Sequence, residues 1–117
     1  MREDYPIYVQ WFEGMDWILE RADAFPKAAR GTVTHRIVNL ALDVLEGIVE
    51  AIYTKERSAI LRQLNLNIEK LRVLFGICHR RRYLSIGQYE HISRLLDETG
   101  RMAGGWEKSI ETKRRPV

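Results

Sequence analysis

Four consecutive basic side chains, His79, Arg80, Arg81 and Arg82, followed by Tyr83, form the stretch of this 117-residue chain best suited to surface chemistry. A guanidinium fork matches two phosphate oxygens at once and keeps its charge at any physiological pH. One or two cations at a helix end are explained by the negative end of its dipole. Three successive arginines project about 100° apart and cannot all serve one helix end. More arginines recur at helical spacing. Arg62 and Arg72 fall on the polar side of the preceding segment, and Arg94 and Arg101, two turns apart, share one face of the next. Arg62, Arg72, Arg80, Arg81, Arg82, Arg94 and Arg101 are therefore the candidate contacts for a polyanion or a protein partner. Phosphate contact without base reading is salt-sensitive and tolerant of sequence.

Bond-making chemistry has weaker support. His35, His79 and His91 form no HxxxH pair, so no two share a helical face as zinc ligands would. Cys78 and His79 are adjacent and point about 100° apart, and Cys78 lies in phase with an apolar stripe, which makes it a core residue. Glu46 and Glu50 lie one turn apart, yet no glutamate of the second or third helical segment is followed at the third position by histidine, as a di-iron bundle requires. Neither a glycine-rich phosphate loop nor a nucleophile elbow is present. The chain reads as non-enzymatic, with no catalytic or metal-binding residue and no cofactor.

Four helical segments must position these residues. The first spans about 5–24, with Asp4 as candidate N-cap and a stripe of Tyr8, Trp11, Phe12, Met15, Ile18, Leu19 and Ala22. Pro26 breaks it. The second spans about 27–53. Its polar side chains Arg36, Asn39, Asp43, Glu46 and Glu50 fall within roughly 80°, leaving roughly 280° apolar. That is more apolar surface than one core needs, which predicts a second partner, most simply another copy of the chain. Its acidic stripe is expected to find arginine partners, within the bundle or across a subunit boundary, or else water. The third spans about 55–81, capped by Thr54, with the stripe Leu61, Leu64, Ile68, Leu71, Phe75 and Cys78. The fourth spans about 86–111 and opens on a capping box, Ser85 with Gln88. Its stripe, from Tyr89 through Ile92, Leu96, Thr99 and Ala103 to Trp106 and Ile110, continues in phase past Gly104 and Gly105. The helix is therefore expected to run through them, with Gly100 and Gly104 admitting a close backbone. Residues 112–117 read as a basic tail. Short links between amphipathic helices give an all-α, up-down-up-down antiparallel four-helix bundle in one domain, 1–117.

Composition sets outer limits. Apolar content of 45% and charged content of 30% describe a globular chain. A single cysteine excludes an internal disulfide and suits a reducing cytoplasm. No apolar run is long enough to span a membrane, and the N-terminus lacks signal-peptide order. The net charge of +3 hides an asymmetry: residues 1–24 carry six acids and two bases, and residues 25–117 carry seventeen bases and ten acids. A basic surface is thus set against an acidic first helix.

With these residues laid out, the chain resembles the accessory variability determinant (Avd) proteins of diversity-generating retroelements. The resemblance covers nearly the whole chain. It is sharpest in YLSIGQYEHISRLLDETGRMAGGW, residues 83–106, above all GRMAGGW. It is supported by FPK at 25–27, RIVNLALDVLEGIVEAIYTK at 36–55 and NLNIEKLRVLFGICH at 65–79. Four-helix proteins encoded in intervening sequences of bacterial 23S rRNA genes share the fold and some of the pattern. The resemblance implies a four-helix bundle assembled into a homopentameric barrel with a basic surface. It also implies binding to the element's reverse transcriptase, and contact with RNA or DNA without strong sequence preference. The implied role is support of adenine-directed mutagenic reverse transcription and retrohoming, in the cytoplasm and away from membranes. The alternative is a structural or scaffolding oligomer of the intervening-sequence type with no reverse-transcriptase role.

Overall fold

A computed structural model describes residues 1–114, with side chains described to residue 112. Four α-helices account for most of it: α1 Pro6–Ala24, α2 His35–Tyr53, α3 Ser58–Arg80 and α4 Ile86–Arg114. There is no strand among the described residues. α1 packs on α2 and α4, and α3 packs on the same two, so the bundle closes with its helices in chain order around the core. The molecule measures 54 × 23 × 21 Å. Two helices abreast need about 20 Å, so the short dimensions are those of a single four-helix layer pair.

The core follows from the stripes. The whole α3 stripe, Leu61 to Cys78, is buried, as are Ile92, Leu96, Thr99 and Ala103 of α4. Trp11 is fully buried, and its indole N–H donates to the Ala41 carbonyl at 3.0 Å, tying α1 to α2. That bond removes the cost of an unsatisfied donor in the centre of the bundle. Thr99 solves the same problem locally, donating its hydroxyl to the Leu95 carbonyl at 2.8 Å. Gly14 lets α4 come close: a Cβ there would lie 2.6 Å from Leu95 Cδ2.

Several local features differ from the sequence reading. α1 is not capped by Asp4, because Pro6 occupies its first position and Tyr5 precedes it as extended N-cap. Phe12 and Leu19 are 52% and 41% exposed, because each lies about 100° around the helix from the fully buried residue before it, Trp11 and Ile18. Lys27 to Thr34 does not wind as α-helix. Lys27–Ala29 is a 3₁₀ turn and Arg30–Thr34 a π turn, and the Thr32 hydroxyl donates to the Ala29 carbonyl at 3.3 Å. A threonine hydroxyl bonded to the backbone competes with α winding. Thr54 is extended and does not cap α3; α3 starts only at Ser58. α4 does open on the reciprocal Ser85–Gln88 capping box, at 2.9 and 3.1 Å, and runs unbroken through Gly104 and Gly105 to Arg114. A Cβ at Gly100 would touch α3, whereas among the described residues no other helix lies within 4 Å of a Cβ at Gly104. Of the expected basic tail, Thr112 to Arg114 are helical and residues 115–117 lie outside the described residues.

The surplus apolar surface foreseen on α2 is largely covered. Val38, Leu40, Leu42, Leu45, Val49 and Ile52 are half-buried. The most exposed helical apolar side chains away from the helix ends lie elsewhere: Phe12 on α1, and Leu66 and Val73 on α3 at 51% and 65%.

Candidate polyanion-binding end of the bundle

α3 ends in a Schellman motif. The N–H of Tyr83 donates to the Cys78 carbonyl at 2.8 Å, and that of Arg82 to the His79 carbonyl at 3.0 Å. The motif demands a left-handed residue at Arg82, which has φ 64° and is the one non-glycine residue with positive φ among those described. Glycine is the usual occupant of this position, so arginine holds it at a conformational cost. The turn spreads Arg80, Arg81 and Arg82 over the bundle end, all three exposed. His79 is turned away from them and stacks on Tyr89, with ring centres 4.3 Å apart and planes 6° from parallel.

The antiparallel topology brings the α1–α2 link to this same end. The Phe25 ring packs on Tyr83 at 5.7 Å, pinning the link against the α3–α4 turn. Exposed Lys27 and Arg30 thereby join the three arginines. Asp23 and Glu90 are the acids of this end, and among the described residues neither pairs with any of these five cations. Five cations without internal partners concentrate positive potential at one tip, where it is least cancelled by acids.

The other predicted arginines lie elsewhere. Arg62 pairs with Glu107 at 3.5 Å on the α3–α4 face. Arg72 bonds Glu69 at 2.8 Å and also Asp97. Its burial opposes the charge, and the hydrogen bonds and charges of the two carboxylates more than offset this, holding the guanidinium above the ordinary arginine value. Arg94 and Arg101 border a groove of about 690 Å³ between α1 and α4, beside Trp17 and His91, whose rings meet at 4.7 Å. The seven residues thus fall into three places: Arg80–Arg82 share the bundle end, Arg94 and Arg101 share the α1–α4 groove, and Arg62 and Arg72 pair with carboxylates of α4. Lys27 and Arg30 escaped the sequence reading. The signal for them was the topology itself, since the first and third links of an antiparallel bundle share an end.

The acidic stripe of α2 makes no ion pair within the chain among the described residues. Asp43, Glu46 and Glu50 line an open groove of about 630 Å³ against α3, together with Gln63, Asn67 and Lys70. No group of three or more metal-ligating side chains occurs among the described residues, and Cys78 is buried in the core, its thiol pushed up to about 11 by desolvation. No helix is long and apolar enough to cross a membrane.

The described residues thus form four α-helices and no strand, with a cationic tip at one end. The profile of a family described as bAvd-like matches residues 7–110, so the chain belongs to that family, the accessory variability determinant proteins of diversity-generating retroelements. The family is one of accessory proteins rather than enzymes. Among curated proteins the chain has no significant match.

Proposed function

We propose that this chain is the non-enzymatic accessory protein of a diversity-generating retroelement. In this reading it assembles as a homo-oligomer, in the pentameric form implied by the Avd resemblance. It binds the element's reverse transcriptase and holds RNA or DNA during mutagenic copying in the cytoplasm. The observation that carries the nucleic-acid part is the tip formed by Lys27, Arg30, Arg80, Arg81 and Arg82, five exposed cations without carboxylate partners. Such a tip contacts phosphates and reads no bases, so affinity should depend on salt far more than on sequence.

Fluorescence anisotropy with two unrelated RNA oligomers and their DNA counterparts, across a salt series, tests it. The triple variant Arg80→Ala/Arg81→Ala/Arg82→Ala should bind at least about tenfold more weakly at 50 mM salt and lose about 2 to 3 units of log–log salt slope. Its helical circular dichroism should be unchanged. Wild-type affinity and slope in the variant would refute the site. Failure of the reverse transcriptase to co-purify with the wild-type protein would refute the accessory role separately. The exposed apolar residues Phe12, Leu66 and Val73 favour the second reading, a scaffolding oligomer, which predicts no anisotropy change with any oligomer.

A further inference from the structure

α2 and α4 carry opposite charges on their outward faces. On α2, Asp43, Glu46 and Glu50 are exposed and unpaired within the chain among the described residues. On α4, Arg94, Arg101 and Lys108 recur every seven residues, all exposed, and none has an ion-pair partner among the described residues. Of the acids within one turn of them on α4, Asp97 accepts from Arg72 and Glu98 from Gln10, while Glu90 and Glu111 are exposed.

The two stripes also share a height along the bundle. A Cβ at Gly47 would meet Leu64 at 3.6 Å, and one at Gly100 would meet Asn65 and Ile68 at 3.7 and 3.9 Å. α3 thus serves as a ruler that sets Arg101 level with the Glu46–Gly47 turn. The acidic stripe spans about 10 Å and the basic one about 21 Å, both centred at that level. Between Arg101 and Lys108 lie Gly104 and Gly105, with no other helix among the described residues within 4 Å of either Cβ position. Two glycines in mid-helix weaken it by roughly 1 kcal/mol each, and they leave a low saddle between the cations.

We infer that the acidic α2–α3 groove of one copy receives the Arg94–Arg101–Lys108 ridge of a second copy. α2 and α4 sit diagonally in the bundle, so the two faces point in opposite directions and one chain cannot satisfy both. The contact is therefore head-to-tail, repeating from copy to copy until it closes into a ring. Lys70 is the one cation lining the acidic groove, and three carboxylates outnumber it. The inference rests on the homo-oligomer reading and adds to it the surfaces, their polarity and an ionic basis.

Two charge-reversal variants test it by sedimentation velocity at tens of micromolar protein: Glu46→Arg/Glu50→Arg, and Arg101→Glu/Lys108→Glu. The wild type should assemble, with an association at least about tenfold weaker in 0.5 M than in 0.1 M salt. Each variant alone should sediment as a single copy. Mixed in equal amounts, they should associate with each other, because the intact ridge of one meets the intact groove of the other and the two reversed surfaces are again complementary. A chain carrying all four substitutions should reassemble, which excludes misfolding as the cause of dissociation. Wild-type assembly in either variant, or no association on mixing, would overturn the contact while leaving self-association standing. A single-copy wild type would remove both.

Discussion

The two ends of this bundle use cations in opposite ways. At the end made by the α2–α3 link and the termini of α1 and α4, the arginines Arg2, Arg57 and Arg62 are engaged internally, and Lys55 and Lys108 are exposed. The Arg57 guanidinium lies 5.1 Å from the centre of the Trp106 ring, which itself packs on Tyr5 at 5.3 Å. Arg2 lies over Tyr8 at 5.7 Å, and Arg62 reaches Glu107. At the opposite end, Lys27, Arg30 and Arg80–Arg82 have neither ring nor carboxylate partner among the described residues. The contrast shows that arginine content alone says little about a binding surface. What counts is whether neighbouring residues have already spent the charge.

The sharpest way to break this contrast is to release the α1–α2 link. Phe25→Ala should destabilise the fold by about 3–5 kcal/mol, as for other buried aromatics. It should also weaken RNA binding, because Lys27 and Arg30 would no longer be held beside the arginines. Urea melts with anisotropy on the folded fraction measure both; unchanged affinity would dissociate the link from the site. Next in size is a pH effect just beneath the open end. Burial lifts the Cys78 thiol from 9.0 to about 11. Between those values the folded chain keeps a proton that the unfolded chain releases, so stability falls as pH rises through the window, by about 2–3 kcal/mol in all. Urea midpoints at pH 8.5 and 11 should show this drop as a difference between the wild type and Cys78→Ala, which has no proton to lose.

A smaller effect separates stability from binding at one residue. Arg82→Gly relieves the left-handed strain and should stabilise the chain by about 1 kcal/mol while lowering RNA affinity. A loss of stability would show that the Arg82 side chain has contacts beyond its backbone role. Smallest is Arg57→Ala at the closed end. It should cost about 0.5–1 kcal/mol through the lost ring contact and leave RNA binding unchanged. An equal loss of RNA affinity there would abolish the distinction between the ends.

Much of this architecture was legible in the letters. The α3 stripe, the Ser85–Gln88 box and the continuous helix through Gly104 and Gly105 follow from spacing and capping chemistry, which act locally. The misses have a shared cause: they depend on what lies across the interface. The apolar arc of α2 looked too wide because counting residues on one helix cannot show that α1 and α3 half-cover its flanks. Phe12 and Leu19 looked like core because nothing in α1 alone reveals that the interface is centred on Trp11 and Ile18, about 100° away. Arg62 looked free because Glu107 lies on another helix, and of the two partners of Arg72 only Glu69 lies on its own helix while Asp97 needed the fold. The site was legible as a run of arginines. Its completion by Lys27 and Arg30 needed the fold, through the contact of Phe25 with Tyr83.

The π turn at Arg30–Thr34 carries one consequence of its own. Such a turn holds one residue more than α winding needs. Deleting a residue there lets the winding tighten while His35 onward keeps its aim toward α1 and α3. The same deletion inside α2 would swing every later side chain by about 100° and empty the core of Ile48 and Ala51. The chain therefore has a built-in length tolerance at the one junction where the cationic tip meets the packed barrel of the bundle.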